Sequence, residues 1–128
     1  MSAQVYQSIG WEDTPATFLA RVEGVAGDPI TQAGLSGITY AVTDMAGDGS
    51  TQVTTGTVTV ATAISDSLVT GDSRWTRDET GYNFVATLPA AAFPNGNRTY
   101  RVELKFTETS GNVFPLVFSH YAQKLFKQ

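Results

Sequence analysis

The chain has 128 residues, a net charge of −4 and no cysteine, and these properties exclude several classes of protein. Without cysteine the fold has no disulfide, no thiolate metal site and no thiol nucleophile. The eight basic residues are scattered along the sequence, which argues against nucleic acid as a partner, and the length fits a single domain with its own core.

Neither a secretion signal nor a membrane span is predicted. The N-terminal sequence MSAQVYQSIGWEDTP lacks the basic segment and the apolar run of a signal peptide. No stretch reaches the roughly 18 consecutive apolar residues that a membrane helix needs. We therefore expect a soluble protein that is made in a cytoplasm and has no membrane partner.

The two ends of the chain carry candidate interface residues. Tyr6 and Trp11 lie in an N-terminal segment with no sustained period, and Phe126 lies in a mildly basic C-terminal tail. Apolar groups near a chain end are stable only when something covers them. The N-terminal segment is predicted either to lie on the domain's own core, as a short strand or arm, or to dock on a neighbouring subunit.

Alternation of apolar and polar residues predicts strands through most of the chain. The segments with a period of two that precede the last third of the chain are 16–23, 38–44, 52–63 and 81–89. In residues 52–63 the polar face is threonine, whose β-branched side chain fits a pleated, exposed surface. A further short strand is expected around Leu68, and one helical turn is expected after Pro89.

The clearest strands are two that form a hairpin between residues 99 and 121. In the first strand, a shift of one residue would bury three charges, so the register is firmly specified. Pro115 removes one ladder hydrogen bond from the second, which favours an edge strand or a bulge there. The inward residues are expected to be Tyr100, Val102, Leu104, Phe106, Phe114, Leu116 and Phe118.

Together these segments predict an all-β protein. About seven short strands without a long helix are typical of an antiparallel immunoglobulin-like β-sandwich, here with extended terminal arms; a small closed barrel is the alternative. The Cys, Trp, Cys core of antibody domains is missing, so only the architecture is implied. We assign residues 1–15 to an N-terminal arm, 16–121 to the sandwich and 122–128 to a C-terminal tail.

Residues that could carry chemistry form no catalytic or metal-binding motif. A general base at His120 would need an orienting carboxylate and a nucleophile, and its neighbours in sequence supply neither, so a packing or surface role is expected. Turn aspartates such as Asp44, Asp48 and Asp72 lack the spacing of a calcium loop, which leaves only weak Ca²⁺ binding open. We predict no enzyme activity, no catalytic residue, no metal site and no cofactor.

The loop sequence SRWTRDE is the candidate binding segment. It places Arg74 and Arg77 around Trp75, a combination enriched at protein interfaces and also suited to stacking on a sugar ring. An equally favoured interpretation is internal: Trp75 packs within the domain and the arginines pair with neighbouring carboxylates.

The last third of the chain resembles a known group of proteins. In GYNFVATLPAAAFPNGNRTYRVELKFTETSGNVFP, a strand closed by Leu-Pro leads through a short apolar connection to Tyr-Arg-Val-Glu, and a Ser-Gly turn precedes Val-Phe-Pro. This order, with LSGITYAVTD before it, resembles small immunoglobulin-like modules of tailed-phage particles, including the amino-terminal domain of baseplate upper proteins. The likeness covers residues 35–118, and it implies assembly without catalytic residues.

The sequence therefore predicts a virion structural protein. The expected role is a head decoration, neck or baseplate subunit that is present in repeated copies or as a homo-oligomer and contacts other virion proteins. The alternative is a carbohydrate- or ligand-binding module that uses the loop around Trp75, because loops at the ends of sandwiches commonly bind ligands.

Overall fold

The computed structural model of the chain describes residues 5–46 and 51–125. The strands are β1 (Val5–Trp11), β2 (Ala16–Ala20), β3 (Leu35–Asp44), β4 (Thr51–Val58), β5 (Ile64–Val69), β6 (Tyr82–Leu88), β7 (Arg98–Glu108) and β8 (Val113–Gln123). A short helix, α1 (Val60–Ala63), precedes β5, and a 3₁₀ turn (Ala90–Ala92) follows β6 as predicted. Within the described ranges, no helix has the length and apolar character needed to cross a membrane.

The strands form two sheets whose order is that of an immunoglobulin-like sandwich. The larger sheet has the order β1-β8-β7-β3-β4 and the smaller sheet the order β2-β6-β5. All pairs are antiparallel except β1 with β8, which are parallel. In the immunoglobulin arrangement, β2, β6 and β5 correspond to strands B, E and D, and β8, β7, β3 and β4 to G, F, C and C′. The predicted all-β sandwich is confirmed, with eight strands rather than about seven.

Aromatic side chains from both sheets fill the space between them. The ring of Phe84 on β6 meets that of Phe106 on β7 edge-on at 5.4 Å, and the Phe18 ring on β2 lies 4.8 Å from that of Phe118 on β8. Each such side chain contributes roughly 1.5–3 kcal/mol when fully buried. All seven residues predicted to point inward from the hairpin are buried. Because the chain has no cysteine, this packing holds the sheets together without a covalent link.

Part of the predicted N-terminal arm is a strand of the larger sheet. β1 runs parallel to β8, with Val5 opposite Val117, and its side chains alternate between partly buried and exposed. Pro115 lies two residues before the first of these pairs, where β8 has no partner on that side among the described residues. β8 lies between β1 and β7 and pairs with β7 through Pro115 without a bulge, so the edge strand or bulge predicted there is wrong, although the described pairs with β1 begin only at Val117.

The prediction of a continuous strand over 52–63 is wrong at its end. β4 stops at Val58, and α1 carries the chain from the larger sheet to the smaller one. Two alanines favour helix here. Gln32 also stabilises the end of the helix, because its side-chain amide donates to the carbonyls of Ala61 at 3.3 Å and Ile64 at 2.8 Å.

Tyr100, at the start of β7, forms a corner with the connection that leads into its strand. Its hydroxyl accepts a hydrogen bond from the Asn95 N–H at 2.9 Å and donates to the Asn95 carbonyl at 3.2 Å. This is the tyrosine corner of immunoglobulin-like domains, in which the second cysteine of antibody domains follows two residues later. Val102 occupies that position here, so the chain keeps the corner without the disulfide.

His120 is buried between the sheets with a single polar partner. Its Nδ1 lies 2.9 Å from Ser8 Oγ on β1, its Nε2 has no hydrogen-bond partner, and only 1% of the residue is exposed. The rings of Phe18 and Phe93 lie 5.4 and 4.5 Å from the imidazole. Burial among these rings lowers the pKa of His120. The packing role expected for this residue agrees with its position.

Replacing Tyr100 with phenylalanine should lower the free energy of unfolding by about 1–2 kcal/mol, because two partly buried hydrogen bonds are lost and the Asn95 backbone groups lose their partner. The matched control is Tyr121→Phe, which removes an exposed hydroxyl that bonds Asn97 and should cost less than about 0.5 kcal/mol. Urea unfolding of both variants measures the difference. Equal losses would contradict a stabilising corner.

Stability should decrease as the pH falls below the ordinary histidine pKa of about 6.5. The unfolded chain binds a proton there, whereas the folded chain resists it because the pKa of His120 is lowered. We expect the free energy of unfolding to fall between pH 7.5 and pH 5.0, and to fall less in His120→Gln, although that variant is less stable at both values. Identical pH slopes would contradict this linkage.

Candidate interaction surfaces

The loop between β5 and β6, here called the Trp75 loop (residues 70–81), is anchored by Asp78. Arg21 Nη1, at the end of β2, lies 2.9 Å from both carboxylate oxygens of Asp78. Asp78 also accepts hydrogen bonds from Trp75 Nε1 at 3.1 Å and from two backbone N–H groups of the loop. These donors lower the pKa of Asp78, and the indole N–H of Trp75 makes the largest contribution.

A second anchor, Asp72, fixes the other side of the same loop. Its carboxylate accepts hydrogen bonds from Arg74 Nη2 at 2.7 Å and from the Tyr82 hydroxyl at 2.5 Å. The Arg74 guanidinium lowers the pKa of Asp72, and the bond to Asp72 raises the pKa of Tyr82. The internal pairing predicted for Arg74 is therefore present, and its guanidinium is directed to its own loop.

Arg77 connects the Trp75 loop to β1. Its guanidinium carbon lies 4.1 Å from the centre of the Tyr6 ring and 5.9 Å from that of Trp75, which are cation–π distances. The Trp75 ring in turn lies 5.7 Å from the Tyr82 ring. The structure thus adds Tyr6, which the sequence placed in the N-terminal arm, to Trp75 and Arg77 of the predicted binding segment.

Two clefts lie beside this cluster. One, of about 350 Å³, is lined by Tyr6, Arg21, Glu23 and three residues of the Trp75 loop. The other, of about 440 Å³, shares the first three residues and continues along residues 22–27 and the start of β8. The first is mainly polar, and the second mixes polar backbone with apolar side chains.

A different surface lies on the outer face of β1 and β8. Of the eight large apolar residues that are exposed in the described chain, five lie on this face: Val5, Ile9, Trp11, Val113 and Tyr121. The parallel register places Ile9 beside Tyr121 and Val5 beside Val117. We call Val5, Ile9, Trp11 and Tyr121 the apolar strip. Ile9 is 72% exposed and Trp11 45%, although both are in regular strand.

The charged side chains on this face of the sheet lie on β7, the strand next to β8. On the same face, β7 carries Arg101, Glu103 and Lys105, and Arg101 pairs with Glu103 at 2.9 Å. The first eleven residues of the chain contain no charged side chain. The apolar strip is therefore bounded by charged residues on one side and by the free edge of β1 on the other.

The predicted site residues fall on separate surfaces. Trp11 belongs to the apolar strip, while Tyr6 faces inward from the same strand and belongs to the Arg77 cluster. Phe126 and the turn residue Asp48 lie outside the described residues. The sequence did not predict the pairing of Arg21 with Asp78; the one available signal was a lone arginine on the polar face of a predicted strand.

Ser8 and His120 are the one serine–histidine contact that the structure describes, and their surroundings do not suit catalysis. A nucleophilic serine needs a base that is oriented by a third group and reached by substrate. His120 Nε2 has no hydrogen-bond partner, and the imidazole is enclosed by aromatic rings. No group of three or more histidine, aspartate or glutamate side chains within 5–46 and 51–125 is arranged to hold a metal ion.

Comparison with known proteins gives no family assignment. Neither a protein-family model nor a curated protein matches the sequence. The likeness to phage modules therefore depends on the residue order described under Sequence analysis.

Replacing Asp78 with alanine should release the Trp75 loop. The amide hydrogens of Thr80 and Gly81, which Asp78 accepts, should exchange at least tenfold faster, and the near-ultraviolet signal of Trp75 should change. The Arg74 amide, which bonds Asp72, is an internal control and should be little affected. Glu79→Ala removes an adjacent carboxylate without these bonds, and an effect as large as that of Asp78→Ala would contradict the anchoring role.

Proposed function

We propose that the protein is a non-enzymatic structural subunit of a phage or prophage particle, added to the head, neck or baseplate by protein–protein contacts. The observation that carries this proposal is the apolar strip. Single exposed apolar residues are normal on protein surfaces, but several on one sheet face, including a tryptophan and a tyrosine, are typical of an interface; here only Gln7, Ser119 and Gln123 lie among them on that face.

The surroundings of the strip support the same function. Interfaces commonly have an apolar centre and a polar rim, and the charged residues of β7 lie at the position of such a rim. The strip is on regular strands rather than on loops, so its side chains keep a fixed spacing. A repeated particle subunit needs this kind of rigid contact surface.

The resemblance to immunoglobulin-like modules of tailed-phage particles supports a phage particle as the assembly that this surface joins. Such modules are non-catalytic, which agrees with the enclosed position of His120. The low proportion of charged residues, 16%, also suits a surface that is largely covered by other subunits.

The alternative, a carbohydrate- or ligand-binding module, is favoured by the two clefts beside the Trp75 loop. However, two of the groups that a ligand would use already have partners within the domain: Trp75 Nε1 donates to Asp78, and Arg74 bonds Asp72. A ligand would compete with these bonds, so we consider assembly the better supported function. Glycan-array binding that is abolished by Trp75→Ala would reverse this preference.

The proposal predicts that the chain is present in purified particles of the phage or prophage that encodes it. Density-gradient fractions should contain the chain at a fixed ratio to the major capsid or tail protein. Trp11→Asp, supplied in place of the native chain, should reduce incorporation at least tenfold, because it puts a charge into the apolar strip.

The matched control is Val25→Asp, which introduces the same charge at an apolar residue of similar exposure, 48%, outside the strip. It should be incorporated normally, and thermal unfolding should show that both variants are folded. A native chain that stays entirely in the particle-free fractions would contradict the proposed function.

A further inference from the structure

We propose that β1 pairs with β1 of a second copy of the chain, antiparallel and centred on Ser8, so that two larger sheets join into one continuous sheet. This inference rests on the proposed assembly function and names the partner of its surface. It begins from the hydrogen bonding of β1, which lies at the end of the larger sheet and, among residues 5–46 and 51–125, has β8 as its neighbour on one side only.

The β1 edge lacks the features that normally prevent pairing. Natural edge strands are protected by charged side chains, proline, bulges or short length. β1 has seven residues, VYQSIGW, with no charge and no proline, and its register with β8 is unbroken from Val5 to Trp11. Apart from the Gly10 carbonyl, which accepts a hydrogen bond from Gln123 Nε2 at 3.4 Å, the β1 backbone groups that face away from β8 are therefore available to a second strand.

The neighbouring loop leaves this edge unpaired. Arg77 contacts the ring of Tyr6, which faces the inner side of the sheet. Among the described residues, no backbone hydrogen bond joins the Trp75 loop to β1. The loop thus lies at the seam between the two sheets and provides no strand partner for β1.

The sequence of β1 is complementary to itself in an antiparallel arrangement. With Ser8 opposite Ser8 of the second copy, all seven residues are paired and outward residues meet outward residues. Val5 then lies opposite Trp11 of the other copy and Gln7 opposite Ile9. Each exposed apolar residue of β1 gains a neighbour, no like charges are opposed, and the two apolar strips become continuous.

The inward face fits in the same register. Tyr6 comes opposite Gly10, where a larger residue would have to displace His120, because an added Cβ would lie 2.8 Å from His120 Cε1. Glycine at a sheet edge leaves backbone uncovered, and an aromatic residue on the facing strand covers it. The pairing of a large residue with the glycine occurs twice in the dimer, once on each side of the two-fold axis.

A second copy of the chain is favoured over other partners because the resulting dimer is closed and leaves no β1 edge exposed. Pairing of β1 with itself about a two-fold axis buries both equivalent edges and ends there. The other free edge of the larger sheet, β4, has threonine on its outer face, so it offers no comparable apolar contact. A strand from an unrelated protein could use the same backbone groups, and the experiment below distinguishes that case.

The test uses the absence of cysteine from the native chain. Gln7→Cys and Ile9→Cys proteins, mixed and mildly oxidised, should form the mixed disulfide dimer at least tenfold faster than either forms its own. Val5→Cys mixed with Gln7→Cys is the register control and should not cross-link selectively. Sedimentation of the native chain should show a concentration-dependent species of twice 13.7 kDa.

Two lysine variants test the edge without cross-linking. Ile9→Lys should raise the dimer dissociation constant at least tenfold, whereas Val113→Lys, an equal change on β8 beyond the end of β1, should leave it within threefold. Circular dichroism should show that both are folded. A native chain that is monomeric at all concentrations, as expected if another protein supplies the strand, or a dimer that cross-links in another register, would overturn the inference.

These results are separate from the test of the proposed function. A monomeric chain that is still incorporated into particles would overturn only the β1 pairing. A β1-paired dimer that never enters particles would contradict only the particle function.

Discussion

The parallel pairing of β1 with β8 determines where both candidate surfaces lie. β1 has one hydrogen-bonded neighbour, and the contact of Ser8 with His120 is a polar link from its inward face to β8. On the inward side Tyr6 meets Arg77 of the Trp75 loop, whereas on the outward side Ile9 and Trp11 form part of the apolar strip. Without β1, the apolar strip would lose Val5, Ile9 and Trp11, and the contacts of Tyr6 with Arg77 and of Ser8 with His120 would be lost.

The sequence predicted those parts of the fold that local patterns specify. The hairpin of β7 and β8 was predictable because its register is fixed by charge: any shift by one residue would bury Arg101, Glu103 and Lys105. The position of β1 was not predictable, because Ser8 and His120 are 112 residues apart and no local period encodes a parallel partner. In residues 60–63 the alternating pattern suited a strand, but the crossing to the smaller sheet required a turn of helix instead.

The candidate surfaces were predicted only in part. The sequence grouped Trp75 and Arg77 in one segment, and the fold adds Tyr6 to them through its cation–π contact with Arg77. The sequence also grouped Trp11 with Tyr6. Side chains alternate along β1, so these two residues lie on opposite faces of the sheet. Arg21 was missed, because its partner Asp78 is 57 residues away in an irregular loop whose path the sequence does not define.

The free edges of the two sheets are protected to very different degrees. β2 is short and lies against the Trp75 loop, β5 carries Asp66, and the ladder of β3 with β4 contains a bulge next to Val42. β1 also lies beside the Trp75 loop, but it is longer, has no charge and no bulge, and carries Val5, Ile9 and Trp11 on its outer face. An edge of this kind promotes aggregation when it is uncovered, since it offers both backbone hydrogen bonds and apolar contacts to any extended chain. It is tolerable in a working protein only where one specific neighbour pairs with it and excludes the others.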